Sequence, residues 1–317
     1  MKVVITGGAG FIGSHLAKKW IQLGHDVHLV DCLHPYYSPK RKKQHLEELT
    51  KIGPFSFYHL NLLDQVETEK LIIKLQPEVV VHLAALPGVA YSIEQPLKYV
   101  DYDIKATIHV LEGSRKANVE KVIFASSSSV YGELGCSGGV SEEKANGNVL
   151  SPYAASKYSA ESFCHVYRNL YDMDIKILRF FTVYGPWGRP DMAIAHFIGK
   201  LLKGERLPVF GIENSRDYTY IDDIIEGIDL TVHSRTKHFI FNIGNGKPKS
   251  MSELLSELRK HFKALEVELM SRRAGDVYAT WADISIAERE LGYYPRVSFS
   301  EGISRTVEWA KNYEEWT

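Results

Sequence analysis

Two hydrophobic rhythms alternate along the first half of the chain. Short apolar runs rich in β-branched residues recur as "KVVIT" at 2–6, "DVHLVD" at 26–31, "FSFYHL" at 55–60, "EVVVHLAA" at 78–85, "KVIFASS" at 121–127 and "IKILRFF" at 175–181. Segments of helical length separate them. Apolar runs of this size, alternating with helices, are the mark of parallel strands covered on both faces. The pattern therefore predicts an α/β fold built on a doubly wound parallel sheet. In one intervening helix Phe163, Val166, Tyr167 and Leu170 stand at i, i+3, i+4 and i+7, a face expected to be core.

After about Phe180 the rhythm loosens into turn-rich stretches such as "YGPWGRPDM" and "GIENSRD", with scattered helices and strands. This half is expected to form a smaller α+β lobe for recognition. The expected division is 1–180 for the sheet lobe and 181–317 mainly for the recognition lobe, with some segments returning to the sheet. No repeat or linker separates the two, so they are expected to share one cleft.

Composition narrows the partner. Lys+Arg 38 against Asp+Glu 39 leaves a net charge of -1, which gives no electrostatic case for nucleic acid or an acidic membrane. A small-molecule partner is expected. Cys32, Cys136 and Cys164 lack pairing or metal-ligand spacing, so no metal is expected and a reduced compartment fits them. No apolar stretch reaches the roughly 20 residues of a membrane span, and Met1-Lys2 leads straight into "VVITGG". A soluble cytoplasmic protein is the expectation.

The first strand runs into Gly7-x-x-Gly10-x-x-Gly13, followed by a helix carrying Ile12, Leu16, Trp20 and Leu23 and ending at Gly24. Glycines there permit a tight turn, close approach of a pyrophosphate to bare backbone and close helix–strand packing. The helix start, with Phe11 and Ile12, offers free N–H groups to phosphate. The second strand ends at Asp31, at the distance expected of a carboxylate that bonds ribose hydroxyls and repels a 2′-phosphate, which points to NAD and a Rossmann-type sheet. Further strand ends supply Asn61 and Leu62 for adenine, and Leu83, Ala84 and Ala85 beside the pyrophosphate. The basic run Lys40 to Lys43 is expected to be a solvated loop face, with reach to a phosphate as the alternative, and His82 a satisfied core histidine.

"SPYAASK", 151–157, reads as a helix start, with Ser151 as N-cap and Pro152 at the first helical position. Tyr153 and Lys157 then share one face. A phenol ordinarily titrates near pH ~10, and an adjacent ammonium favours its ionised form. The strand "KVIFA" runs out into "SSSSVYG" at the same end of the sheet, where serines can meet a substrate oxygen.

These motifs together, "TGGAGFIGSH", "HLAA", "SSSSVYG", "SPYAASK", "RDYTYIDD" and "RRAGDVYATWAD", resemble the extended short-chain dehydrogenase/reductases of the NAD-dependent sugar-nucleotide epimerase and dehydratase group, over essentially the whole chain. The resemblance implies Tyr153 as base toward a sugar 4-OH, Lys157 as the charge that keeps it ionised and bonds the nicotinamide ribose, and Ser127 as partner of the reacting hydroxyl. It also implies a homodimer paired through the helices near Tyr99–Ala117 and Tyr153–Leu170.

Dehydratases and decarboxylases of the group typically carry an acid just before "VYG". Ser128 and Ser129 stand there, so C4 epimerisation of a UDP-sugar is expected over elimination or decarboxylation, and over a non-catalytic NAD-binding role. "LRFFTVYGPWGRPDMA", 178–193, resembles UDP-glucuronate 4-epimerases, with Thr182 where galactose epimerases usually have asparagine. Arg189 is expected to pair a carboxylate through both donors of its fork, helped by Ser128 and Thr182, with a diphosphate contact or a surface salt bridge as the alternative. Arg216, Arg273 and Asp276 resemble the group's grips on diphosphate and uridine ribose, and Phe210 is placed against uracil, with core packing as the alternative. Three positions depart from the pattern: Ala90 in "GVAYS", where glucuronate epimerases commonly have arginine, Asp103 for a frequent asparagine, and Asn61 for a frequent aspartate. Ala90 leaves a neutral or N-acetylated UDP-hexose as the alternative substrate.

Overall fold

The computed structural model describes residues 1–133, 138–271 and 277–313. Six strands follow the expected runs: β1 (Lys2–Thr6), β2 (Asp26–Asp31), β3 (Ser56–His59), β4 (Val79–His82), β5 (Lys121–Ser127) and β6 (Ile175–Phe180). A seventh, Ile240–Ile243, joins them at one edge, giving the order Ile240–Ile243, β6, β5, β4, β1, β2, β3. All neighbours run parallel. The order reverses between β1 and β4, which opens a crevice beyond their C-terminal ends. Register places Thr6 beside Val30 and His82, and Ser127 beside Phe180.

Alternate residues face opposite sides of a strand, and both sides are packed here. Val3 and Ile5 join Leu16, Trp20 and Leu178 in one core, whereas Val4 joins Val80, Val122, Ala160 and Cys164 in the other. Residues beyond β6 add only two-stranded pairings to the described structure besides the edge strand. No helix of the described residues is long and apolar enough to cross a membrane.

The helix Phe11–Gln22 closes on Gly24, whose φ of 76° is the left-handed conformation that suits glycine. The helix Pro152–Tyr171 starts as expected, with Ser151 Oγ accepting from the N–H of Ala154 at 3.2 Å. Its buried face meets the expectation in part, since Tyr167 is buried and Phe163 packs against the core. Ala154, Ser156, Lys157, Ala160, Glu161, Cys164 and Tyr167 point inward, while Val166 and Leu170 are 44% and 68% exposed. Small residues let the helix lie close to the sheet, and this leaves Val166 and Leu170 of the apolar stripe on the outside.

The basic run is likewise corrected. Residues Pro39–Thr50 are helical, with Arg41 and Lys42 buried and Lys42 Nζ 3.7 Å from the carboxylate of Asp31. It is not a solvated loop. His82 behaves as expected of a core histidine: its ring nitrogens lie 2.7 Å from Thr6 Oγ1 and 3.0 Å from Thr107 Oγ1. Burial, with Lys157 adding to it, pushes its pKa down to about 3, so the ring is neutral.

Two buried acids organise the sheet's working end. Glu161 grips the guanidinium of Arg179 through both carboxylate oxygens, at 2.9 and 2.7 Å, with both side chains almost fully buried. The same carboxylate accepts from Ser126 at 2.5 Å, joining the helix to the end of β5. Asp103 lies in a π turn, Val100–Lys105, of the helical stretch that runs on through Ala106–Lys116. Its oxygens accept from the N–H of Leu86 and from Ser156 Oγ, both at 2.8 Å. Burial pushes the Asp103 carboxyl up, with Lys157 opposing it.

Each acid yields a prediction. Glu161→Ala strands a buried guanidinium and is expected to cost about 3–5 kcal/mol, measured by urea unfolding with NAD+ absent and present. A carboxyl whose folded pKa is raised loses stability as pH rises through that pKa. Asp103→Asn keeps an acceptor for Leu86 and removes the titration. Its melting temperature should therefore gain on the parent protein as pH rises from about 4 until the folded carboxyl has ionised, and a difference that stays constant as pH rises contradicts the assignment.

Candidate active site

A cavity of about 500 Å³ opens over the C-terminal ends of β1, β2, β4, β5 and β6. Its volume falls in the range that holds small molecules and cofactors. At one end lies the glycine loop. Gly7, Gly10, Phe11, Ile12 and Gly13 all line the cavity. A Cβ on Gly13 would stand 2.3 Å from the carbonyl oxygen of Gly7, and one on Gly7, whose φ is 70°, would stand 2.8 Å from the backbone of Ala84. Only bare backbone fits. Gly10 caps the helix without a side-chain hydrogen bond, so the first-turn N–H groups face the cavity unscreened.

Asp31 closes this end. Its oxygens accept from the N–H groups of Leu33 at 2.7 Å and Ala9 at 3.2 Å, and Lys42 stands beside it. Asn61, Leu62, Leu83, Ala84 and Ala85 line the intervening wall. The side chain of Asn61 accepts from the N–H of Leu63, which holds the turn after β3. Glycine loop, helix start and strand-end acid together fit a dinucleotide, and Asp31 with Lys42 would meet its ribose hydroxyls.

At the other end Ser127, Ser128, Tyr153, Lys157 and Thr182 come together on the lining. Ser127 Oγ accepts from the N–H of Ser129 and lies 3.1 Å from Ser129 Oγ, capping the turn Ser128–Tyr131. Lys157 Nζ donates to the carbonyl of Ala125 at 3.1 Å. That bond ties the ammonium to β5 two residues before Ser127. The Tyr153 ring meets the edge of Tyr99, with centroids 6.1 Å apart, and Tyr99 is anchored through its hydroxyl to the carbonyls of Pro87 and Gly88.

Arg189 lines the same end but is already paired. Its Nε and Nη2 donate to the two oxygens of Asp191 at 3.1 and 2.6 Å, so in this structure the fork faces a carboxylate of the chain itself. Tyr36 donates to the same carboxylate at 3.0 Å. Burial disfavours the charge on Asp191, but Arg189 and Tyr36 outweigh it and hold the carboxyl below its ordinary range. Burial and Asp191 push Tyr36 up to about 12.

Other expected residues fall elsewhere. Phe210 and Arg216 are absent from the described lining and sit on the short strands Leu207–Phe210 and Ser215–Arg216, where Arg216 donates to the carbonyls of Ser215 and Tyr278. Arg273, Asp276 and Cys136 lie outside the described residues. Reasoning from sequence missed Lys42, Tyr36 and Asp191. Ser38-Pro39 before the basic run repeats the Ser-Pro helix start of 151–152, a signal that would have turned the run into a helix and Lys42 inward. Nothing local marks the pairing of Tyr36 with Asp191.

Known proteins of similar sequence and structure bear on this arrangement. The chain is 38% identical to a UDP-glucuronate 4-epimerase of Thermodesulfobacterium geofontis, over 97% of this chain and 95% of that one. It superposes on a Bacillus cereus UDP-glucuronic acid 4-epimerase in complex with UDP-glucuronic acid and NAD, with TM-score 0.92, 36% identity and coverage of 98% and 99%. A Thermotoga maritima UDP-glucose 4-epimerase with UDP-glucose gives 0.90 and 32%, with the same coverage. The model of the NAD dependent epimerase/dehydratase family matches residues 3–244, from the first strand of the sheet to just past its last. That match takes in both ends of the cavity, and the chain belongs to this family.

Proposed function

We propose that the protein is an NAD-dependent UDP-sugar 4-epimerase that interconverts UDP-glucuronate and UDP-galacturonate. The observation that carries the reading is the meeting of Ser127, Tyr153 and Lys157 in the cavity that begins at the glycine loop. Nothing in dinucleotide binding alone calls for a phenol, an ammonium and a strand-end hydroxyl at the far end. In this reading residues 1–180 hold the cofactor and the reacting groups, and 181–317 mainly hold the UDP-sugar, including Arg216, Arg273, Asp276 and Phe210 toward its nucleotide. The cysteines suit a cytoplasmic setting.

NAD+, when bound, supplies reversible acceptance of the hydride at sugar C4. Tyr153 takes the proton of the 4-hydroxyl, and the same phenol returns it. Lys157 serves the phenolate as its cation; the Ala125 carbonyl fixes where that charge stands. Ser127 holds the C4 oxygen once its hydroxyl turns from Ser129. Elimination across C5 and C6 calls for an acid beside the sugar. Positions 128 and 129 are serines, and Asp191, the acid at this end of the lining, is held by Tyr36 as well as by Arg189. A 4-keto uronate is a β-keto acid, so Ser128, Thr182 and Arg189 also serve to keep its carboxylate from aligning for loss of CO2.

One observation favours a neutral UDP-hexose as the second reading: the Arg189 fork is filled by Asp191, and Ala90 on the lining adds no cation. Separate incubations with UDP-glucuronate, UDP-glucose and UDP-N-acetylglucosamine, resolved by chromatography, decide between them. Conversion of the uronate is expected. Brisk conversion of either other sugar without it favours the second reading. Tyr153→Phe should lower turnover by about 10²–10⁴-fold while the protein still carries dinucleotide released on heating; undiminished turnover would falsify the assigned base.

The reading includes a homodimer. Leu97 and Leu170, 77% and 68% exposed, stand with Ile93, Val100 and Val166 on adjoining helices, an apolar surface of the kind a second copy covers. Light scattering after gel filtration should give twice 35.9 kDa, and the double variant Leu97→Glu/Leu170→Glu should run as a monomer.

A further inference from the structure

The sugar end of the cavity holds a salt bridge that a uronate must confront. Asp191 takes the Nε and Nη2 donors of Arg189, the edge of a guanidinium that grips a carboxylate side-on. A substrate carboxylate offered to Arg189 therefore meets a carboxylate already in place. If both stayed, two anions would share one cation, and like charges at such range raise the cost of binding. The pair is not sealed in. The side chains of Arg189 and Asp191 are 21% and 35% exposed, so the contact can open without unpacking a core.

A second support for Asp191 stands ready. The Tyr36 hydroxyl reaches across from the loop after β2, in the dinucleotide half of the cavity, and donates to Oδ2 of Asp191. It lies against Gly88, where a Cβ would come 2.3 Å from that oxygen, so the ring is seated by the shape of the backbone beneath it. When Asp191 leaves Arg189 it retains this donor. The released carboxylate is then neither buried nor unpartnered, which keeps the cost of exchange low.

Resting on the uronate reading of the site, we infer that Asp191 is a specificity-determining residue. Its carboxylate stands in for that of the sugar on Arg189, and a uronate binds by exchanging one carboxylate for the other. With a neutral hexose the internal pair persists and the pocket stays electrically balanced. With a uronate the sugar takes over the fork and Asp191 stays on Tyr36. Selectivity is a difference between two affinities, and this exchange enters only one of them.

The test is a ratio. NAD+-loaded parent protein, Asp191→Asn, Asp191→Glu and Tyr36→Phe are titrated by calorimetry with UDP-glucuronate and with UDP-glucose. Asparagine keeps an acceptor for Tyr36 but loses the ionic hold on Arg189. The Kd ratio should move toward the uronate by at least about fivefold in Asp191→Asn. Asp191→Glu should stay near the parent ratio. Tyr36→Phe should move it the other way, because the displaced carboxylate loses its donor. An unchanged ratio in Asp191→Asn overturns the inference. A shift against the uronate also overturns it, and means that Asp191 only orients Arg189. A parent protein that fails to turn over UDP-glucuronate refutes the functional reading instead. The binding ratios still decide the role of Asp191 in that case, since a variant that gains uronate binding supports the exchange and one that gains none does not.

Discussion

The hydrogen bond from Lys157 to the Ala125 carbonyl fixes one helix against one strand, and the reacting end of the cavity follows from that contact. A buried ammonium must find acceptors or give up its charge. Here it finds a strand carbonyl, and two other buried titratable groups lie within reach of its charge. His82, which would repel it as a cation, is kept neutral by burial between two threonines. The Asp103 carboxyl is pushed up by burial and drawn back by Lys157, and it is engaged by Leu86 and Ser156. The π turn carrying Asp103 and the Glu161–Arg179 pair behind Ser126 then hold the helix and β5 in one register.

Much of this was legible because it is local. Six strands were readable from their apolar runs, as were the glycine loop, Asp31 and the cap at Ser151, each needing only a few neighbouring residues. The edge strand Ile240–Ile243 was not distinguishable: four residues within a turn-rich half carry too little periodicity to separate strand from loop. The stripe Phe163, Val166, Tyr167, Leu170 held at Phe163 and Tyr167 and misled at Val166 and Leu170, for a different reason. A helical period says that one face is apolar, not which body covers it, and the small residues Ala154, Ala160 and Cys164 won the inner side by packing closer to the sheet.

The site divides in the same way. Dinucleotide residues were legible because backbone shape dictates glycine and small side chains along a contiguous loop. Arg189 was legible as a cation near the sugar, but its state was not, since its partner's second hold comes from Tyr36, 155 positions away in sequence. Lys42 was hidden by composition: four adjacent basic residues look like a solvated face until a helix period turns two of them inward.

Chemistry and selectivity therefore rest on different kinds of structure. Ser127, Tyr153 and Lys157 belong to a strand end and a long helix locked by buried polar contacts, so their geometry tolerates little change. Ala90, Arg189, Asp191 and Tyr36 belong to short segments and loops around the mouth, held by side-chain contacts that open to solvent. A substitution there changes the mouth of the cavity without touching Ser127, Tyr153 or Lys157. That separation accounts for a cavity whose strand-end groups are fixed by buried contacts while the fork of Arg189 is held by a residue of the chain itself.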